Sequence, residues 1–284
     1  MELDPRLTPA RPDLAAKHLQ GRVNAARFAD GVAYEVIDAQ APLRRSPAPD
    51  AALETEALKG ERVTIYETTD EGWSWGQLQT DGYVGWLPTA ALGAPGPPAT
   101  HKVVALRTLV FPGPSIKLPP AESLSFGCRL AIARNMDHLA VTATGGFVPI
   151  SHLAPMDAVE ADFVAIAERF LGVPYLWGGK TSLALDCSGL VQLALTAAGI
   201  ACPRDSDMQE QSVGRVFDPH TDFSNVRRGD LVFWRGHVAI VHGPTSLLHA
   251  NAFHMSVVIE PLAKAIERIQ LAGSAVTSVK RIDQ

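Results

Sequence analysis

The chain has 284 residues, 46% of them hydrophobic and 19% charged, which is enough apolar material for two or three ordinary cores. Its 30 acidic and 25 basic residues give a formal net charge of −5. No Lys/Arg stripe runs along any segment, so a nucleic-acid partner is excluded, and no stretch approaches the roughly 18 consecutive apolar residues of a membrane span.

The opening residues, Met-Glu-Leu-Asp-Pro-Arg-Leu-Thr-Pro-Ala, show no basic start followed by an apolar run, which argues against a secretory leader. Cys128, Cys187 and Cys202 are odd in number and far apart, without a C-x-x-C pair. They suit neither a disulfide framework nor a zinc site. A cytoplasmic protein with reduced thiols is expected.

In chain order, residues 1–30 form an N-terminal segment in which 13–20 are predicted as a helical turn or two. Residues 31–94 read as a small β-barrel. Short β-branched and aromatic runs at 33–37, 62–66, 73–78 and 83–87 are separated by the turn formers Asp70-Glu71-Gly72 and Asp81-Gly82. Gly93-Ala94-Pro95-Gly96-Pro97-Pro98 reads as a linker. The β pattern resumes at 102–110, 129–133, 139–144 and 146–150, which predicts a second, more diverged barrel over 100–154.

From residue 155 the pattern becomes α+β. Asp157, with Glu160 three residues on, is predicted to open a helix carrying Val159, Phe163, Ile166, Ala167 and Phe170, stopped by Gly172 and Pro174. A second helix starts at Asp186-Cys187-Ser188 and runs to Ala198, with Gly199 as its stop. Strands follow at 230–234, 237–241, 247–250 and 256–259.

The chemistry lies in this last segment. A thiol at the first turn of a helix meets unpaired N–H groups and the positive end of the helix dipole, which favour the thiolate. Cys187 is therefore the candidate nucleophile, with Ser188 and Gly189 as small neighbours. Cys128 and Cys202 read as structural. A thiol nucleophile needs an imidazole partner. His237 opens the apolar strand after the turn Arg235-Gly236, and His249 falls 12 positions later, the interval of an adjacent antiparallel strand. His242 and His254 compete for these roles, and an Asn or Asp is an alternative third member.

Five pieces in order resemble the NlpC-type, papain-like cysteine peptidases that act on bacterial cell-wall peptides. They are Pro174-Tyr175-Leu176-Trp177-Gly178-Gly179, Leu185-Asp186-Cys187-Ser188-Gly189-Leu190, Arg228-Gly229-Asp230-Leu231-Val232-Phe233-Trp234, Gly236-His237-Val238-Ala239-Ile240 and His249-Ala250. The resemblance covers residues 155–284. It implies Cys187 as nucleophile, His237 as base and acid, His249 as third polar residue, Tyr175 beside the oxyanion, and Asp186 and Ser188 at the substrate pocket. Pro203-Arg204-Asp205-Ser206-Asp207-Met208-Gln209 narrows the likeness to γ-D-glutamyl-L-diamino-acid peptidases preceded by bacterial SH3-like barrels. In that group Asp205 and Ser206 would bind the free amino end of L-Ala-γ-D-Glu-diamino acid. Tyr83 and Glu56 of the first barrel would close the pocket.

The expected architecture is thus multidomain: two small all-β SH3-like barrels followed by an α+β papain-like catalytic domain over 155–284. The expected activity is a dipeptidyl-peptidase of murein-peptide recycling, with a small peptide carrying meso-diaminopimelate or Lys as substrate. A secreted hydrolase of intact wall and an inert wall-peptide binding module are the alternatives. No cofactor or metal is required by this chemistry, and the histidines form neither H-x-x-x-H nor H-E-x-x-H.

Overall fold

A computed structural model describes residues 3–282. The chain divides into two compact units, residues 1–158 and 159–284.

The first unit is built on a seven-stranded antiparallel sheet. Its spatial order is Leu53–Leu58, Gln40–Arg44, Val84–Pro88, Trp73–Leu78, Arg62–Thr68, Val32–Val36 and Leu92–Gly93. Two-residue alternation sets Val63 and Ile65 inward and leaves Arg62 and Thr64 on the other face. The inward residues join Val36, Leu43, Leu78 and Leu87 in one core. Gly82, at φ +78°, supplies the left-handed corner of the loop between the 73–78 and 84–88 strands.

The sequence pattern did not mark the strands Gln40–Arg44 and Leu53–Leu58 because Pro42 interrupts the first. That proline is tolerated because the 84–88 strand pairs with this one only at Arg44↔Trp86, so the flank beside Pro42 has no ladder to complete. Residues 13–20 are not a helix. Leu14–Ala16 form a strand parallel to Arg27–Ala29, followed by a 3₁₀ turn at Lys17–Leu19. Leu14, Ala15 and Ala16 are all fully buried, and Leu14 packs on Trp75 and Trp86, so burial overrides the helix propensity of the alanines.

Residues 101–155 make three small antiparallel sheets. One sets His101–Val103 between Arg129–Leu130 and Leu153–Pro155; the second pairs Arg107–Val110 with Glu122–Ser125; the third holds Ile132–Met136, Leu139–Thr142 and Phe147–Pro149. A detail recurs in the unit. Val84–Pro88 leads through the 3₁₀ turn Thr89–Ala91 into Leu92–Gly93, and Phe147–Pro149 leads through Ile150–His152 into Leu153–Pro155. The prolines before the two turns share one conformation, φ/ψ −59°/125° and −57°/124°.

Among its described residues the second unit carries four helices, α1 Phe163–Glu168, α2 Cys187–Ala197, α3 Ser206–Ser212 and α4 Leu262–Leu271. They accompany a six-stranded antiparallel sheet ordered Arg215–Phe217, Val276–Arg281, Leu231–Trp234, His237–Gly243, Ser246–Asn251 and Ser256–Pro261. Helix α1 starts later than the Asp157/Glu160 pattern implied. Asp162 is the N-cap, its carboxylate accepting from Val164 N at 2.9 Å and Ala165 N at 3.1 Å, so Val159 lies outside the helix and is exposed. Gly199, at φ +78°, follows α2. Leu262 and Ala265 of α4 pack with Trp234, Ala239, Val241 and Leu247 in one core. Among the described residues no helix is long and apolar enough to cross a membrane.

Candidate active site

Cys187 is the first residue of α2, and the loop before it is held by one carboxylate. Asp186 Oδ1 accepts from Gly189 N at 2.7 Å as the helix N-cap, while Oδ2 accepts from Gly178 N at 2.9 Å. Arg204 clamps both oxygens, at 2.9 and 2.8 Å, and also donates to Ser188 Oγ at 2.9 Å and the Gly179 carbonyl at 3.1 Å. Arg204 is only 1% exposed, so its charge is satisfied wholly inside the protein. Gln209 of α3 donates to the carbonyls of Ser188 and Pro203, each at 2.9 Å. Gly189 is required by contact: a Cβ there would lie 2.4 Å from the Gly179 carbonyl oxygen.

The imidazoles come from adjoining strands. Trp234 pairs with His237 across the turn at 235–236, which starts the strand on the histidine. Ile240 pairs with Leu248, setting His249 beside Ala239, on the same face and two residues from His237. His237 Nε2 lies 2.8 Å from His249 Nδ1. His249 is 1% exposed, and its Nε2 meets Glu260 Oε1 at 2.7 Å and Asn251 Nδ2 at 3.0 Å. Arg268 of α4 donates to the same Glu260 oxygen at 2.5 Å.

The sulfur of Cys187 meets the backbone N–H groups of Val238 and Ser188, the former one peptide from His237. Burial opposes the expected thiolate. Desolvation, helped by the neighbouring Asp186 charge, pushes the thiol up to about 12, against which the two N–H groups and Arg204 pull only partly. Burial, followed by the effect of His249, pushes His237 down to about 3. In the resting site burial therefore favours the neutral thiol and the neutral imidazole. The helix-end effect is present but smaller than the cost of a buried charge.

Tyr175 is half-buried, its N–H bonded to the Met255 carbonyl at 3.0 Å. Burial raises its hydroxyl, and the charges of Cys187 and Asp186 add to that shift, which makes these two its electrostatic neighbours. Asp205 occupies the N-cap position of α3 without a side-chain capping bond, and Ser206 is the first residue of that helix. Both are partly exposed. Tyr83 and Glu56 belong to the first unit. Tyr83 packs in the core of the seven-stranded sheet, and Glu56 is a buried strand residue that accepts from Gln40 Nε2 at 3.2 Å.

His242 lies elsewhere, against Glu168 at 2.9 Å, while His254 stands behind His249, its Nδ1 3.0 Å from Oδ1 of Asn251. Sequence reasoning missed Glu260, Arg268 and the clamping role of Arg204. The signal for Glu260 was its place on a strand paired with the His249 strand. No group of three or more His, Cys, Asp or Glu side chains suited to a metal occurs among the described residues.

The bacterial dipeptidyl-peptidase SH3 domain family matches residues 43–92, and the NlpC/P60 family matches residues 172–273. A γ-D-glutamyl-L-lysine dipeptidyl-peptidase of Bacillus cereus is 27% identical over 244 residues, covering 74% of this chain and 71% of its own. The protein of the same name from Bacillus subtilis is 28% identical over 248 residues, covering 79% and 81%. The crystal structure of an NlpC/P60 family protein from Bacillus cereus superposes with a TM-score of 0.73 at 21% identity, over 88% of this chain and 99% of that one, which supports the fold. The chain joins an N-terminal SH3-like domain to a C-terminal NlpC/P60 domain of mixed α/β content, the domain of a cysteine peptidase.

Proposed function

We propose that the protein is a dipeptidyl-peptidase that hydrolyses the γ-D-Glu–L-diamino-acid bond of murein-derived peptides bearing a free N-terminal L-Ala. One observation carries this reading: the likeness to the two γ-D-glutamyl-L-lysine dipeptidyl-peptidases runs through both the SH3-like and the peptidase segments. The wall-endopeptidase reading is favoured by RipB of Mycobacterium tuberculosis, 31% identical over 140 residues, but that match covers only 43% of this chain.

In the proposed reaction the Cys187 proton passes to His237 as the sulfur attacks the γ-carbonyl carbon of D-Glu. The carbonyl π-bond opens to an oxyanion, held by the first-turn N–H groups of α2 and the Tyr175 hydroxyl. The C–N bond then breaks, and the diamino acid leaves with the proton from His237. Water, deprotonated by the same imidazole, cleaves the thioester and restores the thiol. His249 holds the His237 ring. Asp186 and Ser188 shape the pocket floor, while Asp205 and Ser206 receive the substrate ammonium, for which a carboxylate is the natural counter-charge. Residues 31–94 and 100–154 are proposed as two SH3-like domains ahead of a catalytic domain over 155–284. The repeated strand–3₁₀–strand ending supports the second. A requirement for a free amino end suits small soluble fragments, so cytoplasmic recycling is part of the proposal.

The test is incubation with L-Ala-γ-D-Glu-L-Lys and its meso-diaminopimelate counterpart, with product masses read. Release of L-Ala-γ-D-Glu, abolished by Cys187→Ala and by N-acetylation of the substrate, is expected. Equal cleavage of the acetylated peptide would refute the amino-end pocket.

A further inference from the structure

The contacts of the two histidines fix where their protons sit. Glu260 Oε1 lies 2.7 Å from His249 Nε2. Burial alone would raise the Glu260 carboxyl, but its bonds to His249 and Arg268 outweigh that and hold it below the usual carboxylate range, so it is an acceptor only. A bare Nε2 would set lone pair against lone pair at that distance. His249 Nε2 must therefore carry the proton. Asn251 competes with this assignment, because its Oδ1 is committed to the His254 N–H at 2.8 Å and the His254 ring at 3.0 Å, which leaves its amide nitrogen, a donor, 3.0 Å from Nε2; the Glu260 carboxylate, closer and charged, outweighs that neutral contact.

The rest follows along the chain of contacts. Burial keeps His249 below the ordinary imidazole value, hence neutral, so its Nδ1 is an acceptor. His237 Nε2, 2.8 Å away, must donate to it. A neutral His237 with its proton on Nε2 has a bare Nδ1, the lone pair a thiol proton needs.

We propose that Glu260 is a positioning residue of the active site, a fourth member that sets the tautomers of His249 and His237 and leaves His237 Nδ1 free as the base for Cys187. The inference rests on Cys187 and His237 being the reacting pair of the proposed function. Glu260 remains a carboxylate throughout. The proton that moves goes from sulfur to His237 Nδ1, breaking S–H and forming N–H, and Glu260 then faces the resulting cation through His249. The charged and titratable groups around this pair are Arg268 from α4, His254 from the turn after the His249 strand, and Asp186 and Arg204 at the head of α2. Arg268 also stacks on Phe253, 4.5 Å from its ring, so the cation that orients Glu260 is anchored independently of the histidines.

The test uses alkylation of Cys187 by iodoacetamide in the full chain, which needs no peptide substrate. Glu260→Gln keeps shape and an acceptor but loses the charge; Glu260→Ala loses both. Relative to wild type, Glu260→Ala should react about tenfold to a hundredfold more slowly at pH 7, and Glu260→Gln by an intermediate factor, with the rate profile displaced to higher pH in both. Unfolding midpoints report folding separately, and Glu260→Gln remains informative should Glu260→Ala unfold. ¹⁵N-histidine spectra of the wild type should show Nε2–H tautomers at both His237 and His249. An Nδ1–H tautomer at either, or Glu260→Gln reacting at the wild-type rate and pH, would overturn the proposal. Slow alkylation in the variants of a protein that fails to cleave the tripeptide would defeat the substrate reading alone. Tripeptide cleavage with unaltered alkylation would defeat this one alone.

Discussion

Arg204 grips both carboxylate oxygens of Asp186, at 2.8 and 2.9 Å, one residue ahead of the nucleophile. The pair is almost wholly buried, with side-chain exposures of 1% and 10%. Its planar fork holds the cap of α2 in one orientation, which a flexible ammonium would not. Arg204→Ala should destabilise the protein by about 3–5 kcal/mol, because a buried carboxylate loses its counter-charge. Urea unfolding measures this, and Arg204→Lys should recover only part of the loss.

Gly189 predicts an overpacking defect. An added Cβ would meet the Gly179 carbonyl oxygen at 2.4 Å and Asp186 Oδ1 at 3.0 Å, and the first of these is backbone. Gly189→Ala should cost about 1–3 kcal/mol. Activity should fall further than stability, since relief requires moving the Cys187 turn. Thermal unfolding alongside kcat/KM separates the two effects.

Stability should depend on pH through His237. Its folded value, about 3, lies below an ordinary imidazole near 6.5. Between these values the unfolded chain binds a proton that the folded one does not. The stabilisation is therefore complete above about pH 6.5 and is lost as pH falls toward 3. His237→Gln should flatten this part of the stability profile, measured by denaturant unfolding at pH 7.5 and 4.5. A variant as acid-sensitive as wild type would contradict it.

Asp205 predicts a specificity effect. If its carboxylate receives the substrate ammonium, Asp205→Asn should raise KM for the free tripeptide about tenfold or more while narrowing the preference over the N-acetylated form. Steady-state kinetics with both peptides measures the ratio.

Periodicity and turn chemistry made much of the architecture legible. Val63 and Ile65 alternate as barrel residues do, and the His237 and His249 strands fall at the spacing of a hairpin. Leu262, Ala265, Ile266 and Ile269 also stand at the helical spacing that α4 adopts. Leu14–Ala16 was illegible because only contact with Trp75 and Trp86 makes those residues a strand. The burial that opposes a Cys187 thiolate is illegible for a similar reason: a helix start is written locally, whereas desolvation depends on everything packed around the sulfur. Glu260 follows from strand register, since His249 pairs with Val258 and Glu260 lies two residues on, on the same face.

His237, His249 and Glu260 lie on three successive strands of one meander, residues 237–261, whereas Cys187 enters from 50 positions upstream. Local pairing can assemble the base and its supports early, but the nucleophile joins only through a long-range docking event. Competence is therefore acquired in the final closure of the catalytic unit. In a chain short of that docking the thiol and the imidazole stand apart, and neither can act on a substrate alone.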